Sequence, residues 1–179
     1  VEETRRFAEL KATQRLQAGM IPAGRHELGR YDLSCLFRPA TEIGGDYFDF
    51  RPLDDGRLSI VIGDVAGHGL PASVVVAMAK AGLIASHRYD ILDTQKIMEA
   101  VNEVIHRGVR DHGMFMSLAY MVLDPYRQTI LVSSCGHPFP IIKYANGFVH
   151  QLDLEGNYPL GIRSQTQFEF KLFPFTPGD

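Results

Sequence analysis

The pattern of apolar and polar positions changes character several times along the 179 residues. Residues 1–20 are charged and helix-prone, with Phe7, Leu10, Leu16 and Met20 at loosely helical spacing, closed by Gly19 and Pro22. Such a helix either packs on its own domain or arrives as a linker or short coiled coil from an upstream one; fewer than three clean heptads leave both open. The chain therefore divides into a linker or regulatory helix, 1–22, and a domain, 23–179. From Tyr31 the texture turns to short strands: "YDLSCLF", then "DYFDF" and "RLSIVIGD" around the turn Asp54-Asp55-Gly56. Leu70 to Ser86 is nearly all apolar and reads as a buried helix, with Pro71 in the first turn where a missing N–H costs nothing. Asp93 or Thr94 can cap a second helix, in which Ile97, Ala100, Val101, Val104 and Ile105 recur at three-and-four spacing. Strands then return as "MFMSLAYMVLD", "TILVSS", "PIIKY", "FVHQL" and "FEFKLF", with a strong hairpin signal at Ala145-Asn146-Gly147. Strands, two adjacent helices and more strands, without βαβ alternation, predict an α+β fold layered on antiparallel sheet.

The first hairpin carries the most chemistry. A turn centred on Asp55 sets Phe50 opposite Ile60, Phe48 opposite Ile62 and Asp46 opposite Asp64. Because strand side chains alternate, one face then holds four large apolar residues and, at its open end, two aspartates. A slip by one residue would pair the apolar set with the polar one, so the pattern favours this register. Directly opposed Cβ atoms lie roughly 4.5–5.5 Å apart, and like charges there repel. Protonation, a basic partner or a bound cation can answer that repulsion. No Lys or Arg flanks the pair on that face, and glycines crowd it: Gly44, Gly45, Gly63, Gly67 and Gly69. Glycine permits the close backbone approach that carbonyl ligands need. Hard oxygen donors favour magnesium or manganese over zinc. The residues alone thus predict a divalent-metal site at the edge of an antiparallel sheet.

Composition narrows the alternatives. At 45% hydrophobic residues, the chain is long enough for one domain with a real core. A formal net charge of −3 and the lack of basic clusters argue against a nucleic-acid surface. The apolar segment Leu70–Ser86, interrupted by Lys80, reads as too short to span a bilayer, and no signal-peptide pattern opens the chain. Cys35 and Cys135 are far apart and read as free thiols of a reducing cytoplasm. Zinc on Cys135 and His137 would lack two further ligands. The start at Val1 and the closing turn "TPGD" suggest a piece of a longer protein.

Five stretches, "RPATEIGGDYFDF", "VIGDVAGHGLPAS", "GMFMSLAYMVLDP", "CGHPFPII" and "PLGI", occur in an order that resembles the SpoIIE/RsbU-type bacterial serine phosphatases, of the PPM-type metal-dependent superfamily. The resemblance implies an αββα sandwich of two antiparallel sheets flanked by helices, with two Mn²⁺ or Mg²⁺ ions at one edge. It puts Asp46 and Asp64 at the metal-bridging and metal-ligating positions, with the Val65 carbonyl as a further ligand. The implied reaction is hydrolysis of phosphoserine or phosphothreonine on a partner by metal-held water, without a covalent enzyme intermediate. A STAS-type anti-sigma-factor antagonist is the implied substrate, an upstream sensor or receiver domain the implied regulator, and a homodimer one implied assembly. Thr41 stands where many relatives carry a phosphate-holding arginine, and that role is not moved to nearby Arg38. His68 and His137 read as structural, Asp49 as facing away from the pair, and Glu42 as undetermined. Further metal-ligating aspartates are expected after Asp179, so residues 1–179 are expected to bind metal weakly and turn over little. A pseudophosphatase that binds a partner without catalysis is the alternative.

Overall fold

The computed structural model describes residues 2–38, 43–88 and 93–179. The first helix, α1, runs Glu2–Met20 and is followed by a ribbon of β1, Gly24–Leu28, and β2, Tyr31–Cys35. Next come β3, Tyr47–Pro52, β4, Leu58–Val65, and the helices α2, Leu70–Arg88, and α3, Thr94–Val109. The rest is β5, Met116–Asp124, β6, Thr129–Cys135, β7, Ile141–Lys143, β8, Val149–Gln151, and β9, Lys171–Pro174. An antiparallel sheet in the order β3-β4-β5-β6-β9 forms the centre, with β1–β2 and β7–β8 as separate two-stranded ribbons. The α+β class is therefore as expected.

Strand alternation sorts the side chains into two cores. Tyr47, Val61, Val65, Met116, Leu118 and Tyr120 face α2 and α3. Leu58, Leu123, Ile130, Val132 and Phe173 face the other way, toward Leu28, Leu33, Ile142 and Leu152 of the ribbons and the residue after β8. Among the described residues the layers are thus a helix pair, the main sheet and a layer of ribbons. The latter stands where the sandwich would have its second sheet.

Helix α2 runs two residues past the apolar segment seen in the sequence, and Leu70–His87 is long and apolar enough to cross a membrane by length and composition. That corrects the expectation from length. Its packing is that of a core helix: Ala72, Val75, Val76, Ala79 and Leu83 are buried against the sheet. Helix α3 is capped by Asp93, whose carboxylate accepts from the Gln95 and Lys96 amides. Its buried stripe is Ile97, Met98, Val101, Asn102, Ile105 and Val109; Val104, counted with the stripe in the sequence, is exposed. Strand β1 was not legible because "GRHEL" has no apolar alternation. It exists because β2 pairs with it across Gly29-Arg30, where Gly29 takes the positive φ a tight turn requires.

Candidate metal centre

The β3–β4 ladder has the expected register: Phe50 opposite Ile60, Phe48 opposite Ile62, Tyr47 opposite Gly63. Beyond the last rung, the Val65 amide donates to the Gly45 carbonyl at 3.2 Å. That bond continues the same register, in which Asp46 stands opposite Asp64. Both residues are exposed at the sheet edge. Neither is in an ion pair with any described residue. Burial, and then the charge of Asp46, push the Asp64 carboxyl up from its ordinary value, partly offset by the Val65 amide and by His137.

Gly45 explains how the third oxygen comes near. A Cβ there would lie 2.9 Å from the Val65 carbonyl oxygen and 3.1 Å from Asp64 Oδ1. With Val65 Cβ also at 3.1 Å, position 45 has no room for a side chain, and glycine lets its backbone pass close against Asp64 and Val65. Past Val65, the Ala66 amide donates to the Phe115 carbonyl, and Gly67 and Gly69, both at positive φ, turn the chain into α2. His68 sits exposed in that loop. Pro39 to Glu42, and so Thr41 and Glu42, lie outside the described residues.

The structure adds two residues that the sequence reading set aside or did not weigh. Ser117 pairs with Asp64 across β4–β5, and its hydroxyl donates to the Asp64 carbonyl at 3.2 Å. The same oxygen is 3.0 Å from His137 Nδ1. With the Ser117 hydrogen committed to Asp64, the imidazole donates from Nδ1, which leaves Nε2 as its free nitrogen in the neutral ring. Burial lowers the pKa of His137, while Asp64 and Asp46 pull it back up. The Gly136-His137 turn is held by Ser134, whose hydroxyl donates to the His137 carbonyl at 2.7 Å. His137 is thus anchored through both its ring and its carbonyl, and it lies in the field of the acidic pair. Its neighbour Cys135 is an inert thiol, pushed up to about 12 by burial. The strand parity of Ser117 with Asp64 was the one signal available beforehand.

Asp49 lies on the opposite face, as the alternation predicts. It pairs with Lys80 at 2.7 Å and accepts from the Tyr47 hydroxyl at 3.2 Å. Lys80 also donates to the Met20 carbonyl at 2.6 Å, so α1, α2 and β3 meet at one cation. No group of three or more His, Cys, Asp or Glu side chains suited to a metal occurs among the described residues. What the described chain offers is two carboxylates and a main-chain carbonyl, an all-oxygen set suited to a hard cation.

This arrangement of helix pair, antiparallel sheet and acidic edge is a PP2C-like α+β domain. The SiaA PP2C domain of Pseudomonas aeruginosa superposes with a TM-score of 0.77 at 17% identity, over 99% of this chain and 70% of that one. The PP2C phosphatase domain of SpoIIE from Bacillus subtilis, solved with a fragment of its regulatory domain, gives 0.62 at 16% identity, over 74% and 38%. Residues 54–179 match the family described as Stage II sporulation protein E (SpoIIE), and the chain belongs to that family. Among curated relatives, the phosphoserine phosphatase RsbP of Bacillus subtilis is 24% identical over 80% of this chain and 36% of its own length. Phosphoserine phosphatase RsbU of the same organism is 28% identical over 59% and 31%. The chain thus spans about a third of the length of these relatives.

Proposed function

We propose that the chain is the phosphatase domain of a bacterial signalling protein, hydrolysing phosphoserine or phosphothreonine on a partner protein at a Mn²⁺ or Mg²⁺ site. The observation that carries this is the opposition of Asp46 and Asp64 at the open sheet edge, unpaired with any described cation. The names of the relatives RsbP and RsbU support the reaction class. Asp46, Asp64 and the Val65 carbonyl would hold the metal, and the lack of a side chain at Gly45 lets the backbone before Asp46 run close against Asp64 and Val65. When bound, the divalent ions would supply an activated water and charge stabilisation for in-line attack at phosphorus. Ser117 fixes the strand carbonyl beneath Asp64, and His137 Nδ1 holds the hydroxyl of Ser117. These bonds keep the Asp64 side of the pair from relaxing away from Asp46.

The substrate is, on the family resemblance, a phosphorylated STAS-type anti-sigma-factor antagonist in the cytoplasm. Solved neighbours include the RsbU and RsbW domains of a protein from Mycobacterium tuberculosis and a structure described under the bacterial stressosome as a modular system controlling secondary messenger signalling, which supports a place in signalling. The exposed α1 would connect to a sensor or receiver domain and could pair in a homodimer. In a chain that also carries the further aspartates expected after Asp179, replacing Asp46 or Asp64 with Ala should cut Mn²⁺-dependent hydrolysis of a phosphoserine protein by about 100-fold or more. It should also abolish Mn²⁺-induced broadening of the NMR amide signals of residues 44–46 and 64–66. Unchanged turnover and unchanged broadening in either variant would sink the metal assignment. Tight binding of the phosphoprotein with no hydrolysis in any metal would instead establish the partner-binding alternative.

A further inference from the structure

Helix α1 is exposed along most of its length, and Gln17 is its one described side chain that is buried, at 3% exposure. A buried carboxamide is costly unless both of its polar ends are satisfied. Those of Gln17 are satisfied by a single residue 27 positions away. Nε2 donates to the Gly44 carbonyl at 2.6 Å, and the Gly44 amide donates to Oε1 at 3.2 Å. The side chain therefore acts as one rung of a ladder, holding Gly44 from both sides as a neighbouring strand would.

The residue held in this way leads directly into the acidic pair. Gly44 precedes Gly45, whose carbonyl accepts from Val65, and Gly45 precedes Asp46. At position 45 the backbone already runs close against Val65, where an added Cβ would meet the carbonyl oxygen. The segment is pinned by Gln17 on one side and by Val65 on the other. Its glycines have no side chains of their own to pack, and glycine backbone is the least restricted of any residue. Between the buried side chains of Ile43 and Tyr47, losing one pin would let the Gly44–Gly45 backbone, and with it the Asp46 carboxylate, shift relative to Asp64.

We propose that Gln17 is a positioning residue for the metal pair: its carboxamide clamps Gly44 and thereby sets where Asp46 stands against Asp64 and the Val65 carbonyl. The proposal rests on the metal reading above and adds to it a contribution from α1. A separate anchor seats the same helix end, the Lys80 bond to the Met20 carbonyl, and it does not touch Gly44. Helix docking and loop positioning can therefore be told apart.

The test compares the wild-type protein with Gln17→Met, Lys80→Met and Asp46→Asn. Two quantities are read: the Mn²⁺ dependence of amide broadening at 64–66, and hydrogen exchange of the Gly44 amide without metal. Outer-shell partners of metal sites typically contribute 10- to 100-fold in affinity. Gln17→Met should weaken Mn²⁺ binding by about tenfold or more and deprotect Gly44, and Lys80→Met should change Mn²⁺ affinity less than about twofold. Wild-type Mn²⁺ affinity in folded Gln17→Met, with binding lost in Asp46→Asn, would overturn the clamp and leave the metal reading intact. Wild-type affinity in Asp46→Asn would overturn the metal reading, and the clamp with it. If Gln17→Met fails to fold, Gln17→Ala, which leaves room for a water, carries the same comparison. In the wild type itself, a Gly44 amide exchanging as fast as those of Gly67 and Gly69 would also overturn it.

Discussion

Asp49 and the pair Asp46–Asp64 lie on the same hairpin, Asp49 only three residues from Asp46, yet their surroundings are opposite. Asp49 faces the helices, where Lys80 and the Tyr47 hydroxyl satisfy it and burial, then Asp49 itself, push the Tyr47 phenol above its ordinary range. Asp46 and Asp64 face the other side, where Ile62 is 44% exposed and no described cation reaches them. The first carboxylate is used to join three elements. The other two repel each other, and that cost is what a bound divalent cation would offset. A carboxylate on a strand takes its role from what is packed over its face. Sites that bind and react are commonly built from groups that do not stabilise the free fold.

Substitutions that exchange those surroundings test the contrast. Lys80→Met should destabilise by about 2 kcal/mol in denaturant unfolding, because it leaves a half-buried Asp49 without its charge partner. A loss no greater than that of a surface lysine would show that Asp49 is as solvated as the pair. Gly45→Ala should cost about 1–3 kcal/mol, since its Cβ must push against the Val65 carbonyl, a backbone atom that cannot swing aside. It should also weaken Mn²⁺-induced broadening at 64–66; a fully stable variant would show that the close approach is not enforced. Asp64→Asn should have the opposite sign and, without metal, stabilise by about 0.5 kcal/mol by removing one of two opposed like charges. Destabilisation there would mean that the carboxylate is held by attractive contacts like those of Asp49.

A further contrast concerns pH on the covered face. His87 stacks on Tyr120, and its ring Nε2 lies 3.2 Å from the Tyr120 hydroxyl. Burial, then the nearby Arg51, hold its pKa below the ordinary 6.5, against smaller upward pulls from the Leu83 backbone and Asp49. The unfolded chain therefore binds a proton at His87 more readily than the folded one. Stability should be full above about pH 6.5 and fall as pH drops below it, by at most about 1.4 kcal/mol per pH unit for one proton. His87→Gln should flatten that slope in urea unfolding between pH 7 and 5. An unchanged slope would assign the pH dependence to other groups.

Much of this was legible because it depends on near neighbours in the chain. The turn at Asp54-Asp55-Gly56 and the alternation on either side define one register, and the structure has it. Asp93 as a cap and the hairpin at Ala145-Asn146-Gly147 are equally local. The misses share a different cause. Strand β1 depends on a partner rather than on its own pattern. Val104 fits the helical spacing but falls outside the stripe that α2 and the sheet cover. Gln17, Ser117 and His137 carry no local mark of their role, because each acquires it from a residue at least 20 positions away.

The sequence by itself determined which residues share a face of the β3–β4 hairpin, that Asp46 and Asp64 stand opposed at its open end, and which family the chain resembles. Alternation and turn chemistry act over a few residues, so they survive in the linear pattern. Only the tertiary structure decided which face the helices cover. They cover the more polar one, with Tyr47, Asp49 and Val61, and leave the apolar face with its two aspartates partly open. Burial depends on what packs against a face, and here that comes from α1, α2 and the ribbons. The same long-range packing brings Gln17 to Gly44 and makes a helix outside the acidic edge part of its geometry.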